Sequence, residues 1–523
     1  MNTLQTRYKL PPMLQPRLTW KYCLSSFAIT YFLYCFLTNS PFFSTRLPQY
    51  TGPYNVGAID IEVPVREPRL IHDAVLKDSG EPAFKLDTVL FTLYYPAKHG
   101  VKSKKGHHYW VPKPLWLTAV GYAKFANISN FLTNNLFTSL MGILVGGTKI
   151  SADVDVPLVS SAELLQKGLV PRTTVNEQDP IGHAPDVGTD PGTGLPIIIF
   201  SHGMASSRTQ YSHYLGELAS RGYVCAAIEH RDGSGPGTQI IPSAHSSKTK
   251  PIDRLHFGLS DVKTNPHSAN PGHVIDVDEF KRVQLAYREA EILETTHVVQ
   301  SLNNAEAATK VLADNSRLEG KEAGLDEGMW TGRLNTNQTI VAGHSYGATG
   351  ALQALKPPHN KKSPFAGGII LDPGKSSGRL NADVDVPILI IHSTSWSASS
   401  SIFYGRPHFD TVRDIATNLN SKGIAAWFMT SLGTSHPSVT DAPLIEPLLL
   451  KWTTGAHIDV VEGVRQYVHM SDDFGWFLRS GERRNLLGMS ATSEEYNPDN
   501  GKTAEKFRTY WQVHVSPVKT GDE

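Results

Sequence analysis

The chain predicts an α/β fold in which a mostly parallel sheet carries helices on both faces, and three observations predict it. Short apolar runs of strand length alternate with helix-length segments from Leu195 to Met429, the pattern of parallel strands joined by crossover helices. Leu195 to Phe200 (LPIIIF) is apolar almost throughout, as a parallel strand buried on both faces must be. Ile340-Val341-Ala342 then runs straight into Gly343-His344-Ser345-Tyr346-Gly347, followed by helix-compatible residues. That is the strand, sharp turn and helix of a nucleophile elbow, in which a strained backbone lifts a serine clear of the sheet edge. A Cβ at Gly343 or Gly347 would press strand against helix, and small Ala348 and Gly350 keep the same packing close.

Composition narrows the rest. A chain of 523 residues with 40% hydrophobic content holds one large domain with insertions or two ordinary ones. Lys plus Arg and Asp plus Glu balance at 49 each, so no global field favours nucleic acid, and no basic stripe is present. Cys23, Cys35 and Cys225 do not form a disulfide framework.

The N-terminus differs in kind. Residues 1–21 carry Arg7, Lys9, Arg17 and Lys21, and no acidic residue precedes Asp60. The apolar run Tyr22 to Leu37 follows, about 24 Å of helix against a hydrocarbon core of about 30 Å. Trp20 and Lys21 extend its reach by sitting at an interface. Residues 22–38 are therefore expected to form an uncleaved signal anchor, a single membrane-spanning helix. The basic flank predicts a cytosolic N-terminus and a lumenal or extracellular remainder. A cleaved signal peptide and a merely buried helix remain the alternatives.

Gly52 to Val65 and Thr88 to Tyr95 alternate as strands do, the second ending at Pro96. Trp110 to Gly147 has the spacing of one or two amphipathic helices. They read as a flap over the core or as a surface that dips into a lipid interface. Residues 166–194, dense in Pro, Gly, Asp and Thr, read as a loop insertion. After the strand at Leu195, Tyr211 to Ser220 reads as a helix and Tyr223 to Ile228 as the next strand. Residues 233–276 form a second polar insertion, and Val277 to Leu302 reads as a helix with Phe280, Val283, Tyr287, Ala290, Leu293 and Val298 on or near one face. Strands are expected at Gly368 to Leu371, Pro387 to Ile391 and Ala425 to Met429. Insertions in connections are tolerated because loop-closure entropy grows slowly with length. One catalytic domain is thus expected over about 50–480, with a polar tail over 481–523.

Chemistry in an open α/β sheet gathers at the carboxyl ends of strands. A serine hydroxyl needs an imidazole to take its proton, and the imidazole needs a carboxylate to hold its tautomer. Ser345 is the expected nucleophile. Chain order in this architecture is serine, acid, histidine. Asp372 ends Gly368-Ile369-Ile370-Leu371, while Asp383, Asp385 and Asp410 compete from less regular segments. Among 21 histidines, His436 stands in the loop after the last strand, where that order requires the base. His344 is expected to face sideways within the elbow, and His392 to end a strand. Two N–H groups should hold the developing oxyanion, that of Tyr346 and, beside Gly203, that of Met204. Asp276-Val277-Asp278-Glu279 lacks the glycine and spacing of a calcium loop, and His107-His108 reads as a solvated pair. No metal and no cofactor is expected.

Phe200-Ser201-His202-Gly203-Met204, Arg208, Tyr211-Ser212, Leu218-Ala219-Ser220, Ala226 to Asp232, Gly343 to Gly347 and Leu371-Asp372 together resemble the platelet-activating factor acetylhydrolases of the secreted and type II kind. Gly52 to Gly57, Leu93 to Pro96 and the helix around Gln284 to Glu291 are similar too. The resemblance covers roughly residues 50 to 465. It implies an α/β-hydrolase fold and calcium-independent hydrolysis of short or oxidised sn-2 esters of phospholipids at a membrane surface. It also implies an acid on the strand after the nucleophile helix, which favours Asp372. Pro437-Ser438-Val439, the polar insertions, the N-terminal run and the tail depart from the family pattern. A general carboxylesterase or polyester hydrolase is the neighbouring reading, and a lipid-binding scaffold without turnover is the reading from another class.

Overall fold

The computed structural model describes residues 19–38, 41–160, 194–242, 250–317, 328–358, 362–447, 454–497 and 505–517. Residues 1–18 and all but Gly194 of the insertion expected at 166–194 lie outside them.

An eleven-stranded sheet organises the described chain. Its strands are β1 (Asn55–Leu76), β2 (Pro82–Ala97), β3 (Asp153–Val154), β4 (Leu195–Ser201), β5 (Val224–Ile228), β6 (Val262–Thr264), β7 (Leu334–His344), β8 (Gly367–Leu371), β9 (Ile388–Ser393), β10 (Ala426–Ser431) and β11 (Trp511–Val515). The spatial order is β11-β10-β9-β8-β7-β4-β5-β2-β1-β3, with β6 paired to β1. From β5 through β4, β7, β8 and β9 to β10 every neighbour is parallel, and the antiparallel pairs lie toward the two edges.

Side-chain alternation along these strands explains why both faces are covered. Ile197, Ile199, Val341, Ile370 and Ile390 join one core, and Ile198, Phe200, Ala342, Ile369 and Ile391 join the other. Successive residues of a strand point to opposite faces, so an unbroken apolar run must be packed twice. The first core receives Tyr287 and Ile292 of α5 (Val277–Ser301), Ala351 and Leu352 of α7 (Tyr346–Ala354), and Val412 and Leu419 of α8 (His408–Ser421). The second receives Tyr214 and Leu215 of α4 (Ser212–Ala219), and Val464 and Val468 of α9 (Val460–Ser480). The remaining long helices are α1 (Trp20–Thr38), α2 (Leu115–Phe125), α3 (Phe131–Leu144) and α6 (Ala305–Asp314). Asp276 belongs to the α5 cap, where its side chain accepts from Glu279 N–H.

Three expectations need correction. A helix does form at the N-terminal run, but no described helix is long and apolar enough to cross a membrane. Ser25, Ser26, Thr30 and three tyrosines dilute α1, and Lys21 sits within its first turn. The signal anchor over 22–38 is therefore not supported as a span. The polar insertion at 233–276 is not structureless, since Gly237–Ile240 and Ile252–Leu255 form a two-stranded ribbon and β6 joins β1. The domain does not stop near residue 480 either. Trp511-Gln512-Val513-His514-Val515 pairs antiparallel with β10, and all five residues are buried. Five alternating residues isolated in a polar tail are too short a signal to separate from chance without the strand they pair with.

The edge strand generates a prediction. Trp511 is 2% exposed and its indole N–H donates to Gln466 Oε1 at 2.8 Å. Truncation of a buried Trp costs about 3–5 kcal/mol. Trp511→Ala should therefore lower the urea midpoint of unfolding substantially, and an unchanged midpoint would show that the tail lies outside the cooperative unit.

Candidate active site

The elbow has the geometry its sequence demands. Ser345 has φ 58° and ψ −121°, a conformation non-glycine residues rarely take and one that costs free energy to hold. What holds it is close backbone packing. A Cβ at Gly347 would lie 1.9 Å from the Ser201 carbonyl oxygen, and one at Gly343 would lie 2.2 Å from that of Gly347. Gly347 thus presses on the neighbouring strand β4, whereas the sequence suggested only strand against helix. Ser345 N–H donates to Leu371 O at 2.9 Å, which ties the turn to β8.

Asp372 follows β8 directly, with φ 46°, and is 2% exposed. His436 Nδ1 donates to its Oδ2 at 2.9 Å. Ser393 supports the same carboxylate twice, through its N–H at 2.6 Å and its hydroxyl at 2.7 Å. His436 is itself held from two sides. Its N–H donates to Ser395 Oγ at 2.9 Å, and its ring stacks on Trp396 at 4.0 Å with 11° between planes. With Nδ1–H committed to Asp372, the Nε2 lone pair remains for a proton. His436 also lies against the elbow, its ring centroid 4.5 Å from that of His344. No hydrogen bond joins Ser345 Oγ to His436 among the described residues, a loose spacing usual before substrate binds.

Of the competing groups, Asp383 and Asp385 lie in the loop before β9, while Asp410 sits in the first turn of α8, ion-paired to Arg413 at 3.0 Å. His392 is fully buried, and burial among other cations pushes its imidazole well below its usual range. His344 does not face away from the chemistry as its position in the turn suggested. Its Nε2 lies 4.0 Å from Asp372 Oδ2.

The loop after β4 brings Gly203 against the nucleophile: a Cβ there would sit 3.1 Å from Ser345 Cβ. Both ends of the His202–Gly203 peptide are pinned. Arg288 Nη1 donates to His202 O at 2.7 Å, and Gly203 N–H donates to Tyr211 Oη at 3.1 Å. Arg288 is fully buried, paired with Asp232 at 2.8 Å, and its guanidinium lies 4.5 Å from the centre of the Tyr346 ring. One cation therefore touches both the loop after β4, through His202 O, and the first residue of α7, through the Tyr346 ring. Neither the Met204 N–H nor the Tyr346 N–H is used in a hydrogen bond among the described residues. Farther along the loop, Arg208 bridges Asp60 at 2.7 Å and Glu229 at 2.8 Å, anchoring it to the antiparallel strands.

A second serine–histidine–acid set lies just beneath. Ser201 Oγ is 2.7 Å from His230 Nε2, and His230 Nδ1 is 2.6 Å from Glu291 Oε2. Burial pushes the His230 imidazole well below its usual range and the Glu291 carboxyl well above. The exposure decides between the two sets: the His230 side chain is 0% exposed and that of His436 is 29% exposed. No substrate reaches Ser201.

Sequence reasoning missed Ser393, Ser395, Trp396 and Arg288, whose roles exist only across chain separations. Arg288 left one trace, falling on the buried face of α5 at a position no apolar pattern explains. Asp441 was missed too. It caps α4 by accepting from Ser212 N–H, Ser212 Oγ and His213 N–H, and burial raises its carboxyl to about 6.

The chain is 24% identical over 330 residues to platelet-activating factor acetylhydrolase of Cavia porcellus, a match covering 63% of this chain and 56% of that one. It is 24% identical over 254 residues to the Gallus gallus protein of the same name, covering 48% and 54%. The chain spans about half the length of the curated relatives it matches. Among solved structures, a ferulic acid esterase from Streptomyces cinnamoneus aligns with TM-score 0.47 and 15% identity, over 86% of this chain and 97% of that one. The family described as platelet-activating factor acetylhydrolase, isoform II, matches residues 172–477, more than half of the chain, and the protein belongs to that family.

Proposed function

We propose that this protein is a serine esterase that hydrolyses the sn-2 ester of glycerophospholipids carrying acetyl or short oxidised chains, without calcium. The observation that carries the reading is the His436–Asp372 hydrogen bond beside a strained serine at the head of β7. Family membership supports the substrate class.

In this mechanism Ser345 Oγ attacks the ester carbonyl while His436 Nε2 takes its proton. Asp372 holds the imidazole in the tautomer with Nδ1–H and stabilises its positive charge. Met204 and Tyr346 N–H groups receive the oxyanion, in a site already braced so that no reorganisation is needed as charge develops. Collapse breaks the bond to the glycerol oxygen, which leaves with the proton from His436 as lysophospholipid. Water, deprotonated by His436, then attacks the acyl-enzyme and releases the carboxylic acid. Two backbone donors do the polarising that a bound cation does in metal-dependent esterases.

Contact with lipid is assigned to the exposed apolar helices. In α3 Phe131 is 81% exposed, Leu132 76% and Leu136 56%, and in α1 Phe27, Phe36 and Leu37 stand equally free. Such a face lies in a lipid interface without spanning it.

Four outcomes test the reading. Ser345→Ala, Asp372→Ala and His436→Ala should each lower kcat by about 10⁴-fold or more, without adding, because the three act as one unit. Asp383→Ala should stay near wild type; a silent Asp372→Ala would remove the acid from the scheme. Arg288→Met combined with Asp232→Asn, which leaves no buried charge unpaired, should lower kcat by about 10²-fold with KM little changed, through a displaced oxyanion donor. Lost thermal stability with kcat intact would make that pair purely architectural. Turnover should be full in excess EDTA and much faster on an sn-2 acetyl than an sn-2 oleoyl phosphatidylcholine. Equal rates on the two would make the enzyme a general phospholipase. In vesicle sedimentation, Phe131→Ser with Leu132→Ser should release protein to the supernatant, and unchanged pelleting would move the lipid contact elsewhere.

A further inference from the structure

We propose that His344 Nε2, Asp372 and His436 Nδ1 form a site for a divalent cation of zinc-like character, and that filling it switches the esterase off. The regulatory part rests on the triad proposed above, while the site itself does not.

His344 makes the site more than an ordinary triad. The residue between Gly343 and the nucleophile need only fit the turn, and here it is an imidazole with a side chain 5% exposed. Its Nδ1 lies 2.9 Å from Tyr211 Oη, the group that also receives Gly203 N–H. Its Nε2 closes no hydrogen bond of good geometry: the His436 backbone carbonyl offers it only a loose contact, and Asp372 Oδ2 lies 4.0 Å away. A buried polar atom without a good partner is costly to hold. This one points at a carboxylate already bonded to a second imidazole. Among the described residues, His344, Asp372 and His436 are the cluster whose ligand atoms all lie within 4.8 Å of one another.

Two imidazole nitrogens and one carboxylate oxygen make a common three-ligand zinc set with an open fourth position. Zinc bonds of about 2.0–2.2 Å place tetrahedral ligands roughly 3.4 Å apart. The His436–Asp372 contact, at 2.9 Å, and the His344–Asp372 contact, at 4.0 Å, bracket that spacing. Small ring rotations suffice. Calcium and magnesium prefer oxygen ligands and should not compete.

Occupancy silences the base by a tautomer exchange. The metal forms its bond to His436 Nδ1, whose proton leaves for solvent, and a neutral ring then carries its single proton on Nε2. That proton comes from solvent, so the sum is zero. An imidazole with Nε2–H has no lone pair for the Ser345 proton, and the Asp372 oxygen that held it is now a ligand.

The test measures zinc binding apart from turnover. Full-length wild type, Ser345→Ala and His344→Gln are titrated with Zn²⁺ against a chromophoric chelator, and ester hydrolysis is followed with added Zn²⁺, Mg²⁺ or Ca²⁺. Wild type and Ser345→Ala should share one site that His344→Gln weakens at least tenfold. Zn²⁺ should inhibit wild type over the same concentrations, reversed by EDTA, while Mg²⁺ and Ca²⁺ do nothing. If His344→Gln does not fold, Asp372→Asn removes a different ligand and must weaken the same site. Equal zinc inhibition of wild type and His344→Gln, or no such site in Ser345→Ala, overturns the proposal. Zinc binding as expected in a protein without esterase activity would sustain the site and defeat the catalytic reading.

Discussion

The packing of Gly347 on the Ser201 carbonyl is the contact on which the rest depends. A methyl group there would lie 1.9 Å from the oxygen, so strand β4 and the head of α7 can approach only because the side chain is absent. That approach fixes two things at once. It forces Ser345 into a strained turn that exposes its hydroxyl, and it draws the loop after β4 over the nucleophile so that Gly203 meets Ser345. The turn at Ser345 and the loop at Gly203 are then set by one backbone contact. Strain at Ser345 and at Asp372 is tolerable because buried strands on either side over-determine both conformations.

Beneath this contact lies a polar layer unusual for its dryness. Arg288, Asp232, His230, Glu291 and Ser201 are all at most 2% exposed, and each is hydrogen-bonded to others of the set. A buried ion pair is weak evidence for stability, because desolvation can offset its Coulomb gain. Its value here is geometric. Arg288 fixes the orientation of the His202–Gly203 peptide and packs on Tyr346, so the loop after β4 and the head of α7 cannot drift apart independently. His230 and Glu291 add hydrogen bonds that join Ser201 to α5.

The base is supported differently, from a surface-facing loop. Three residues of one short segment, Ser393, Ser395 and Trp396, hold Asp372 and His436 together by two donors, one acceptor and a stacked ring. A flat aromatic wall restrains the plane of His436 while leaving its side chain 29% exposed, which suits the proton exchange proposed for it. Lys375 lies 4.6 Å from the centre of the Trp396 ring and donates to Trp396 O, closing that wall from outside.

By itself the sequence determined what rests on local pattern. Apolar runs too short for helices and too continuous for half-exposed strands implied a two-faced parallel sheet, and β4, β5, β7, β8, β9 and β10 lie where those runs are. The elbow was legible because glycine spacing and a strand-to-helix switch leave one backbone path. Asp372 and His436 were legible only as positions at strand ends in the right order, with three acids and many histidines still competing. Only the tertiary structure shows the hydrogen bond that joins Asp372 to His436, because a contact across 64 residues leaves no trace in either neighbourhood. It alone separated the reachable serine from Ser201, whose own histidine and glutamate partners look equally apt until burial is known. It also turned a polar tail into an edge strand and an apolar N-terminal run into a helix too diluted to span a bilayer. For the paired side chains and the edge strand the deciding quantity was what each packs against, a property of the whole fold, whereas the N-terminal helix is ruled out as a span by its own composition.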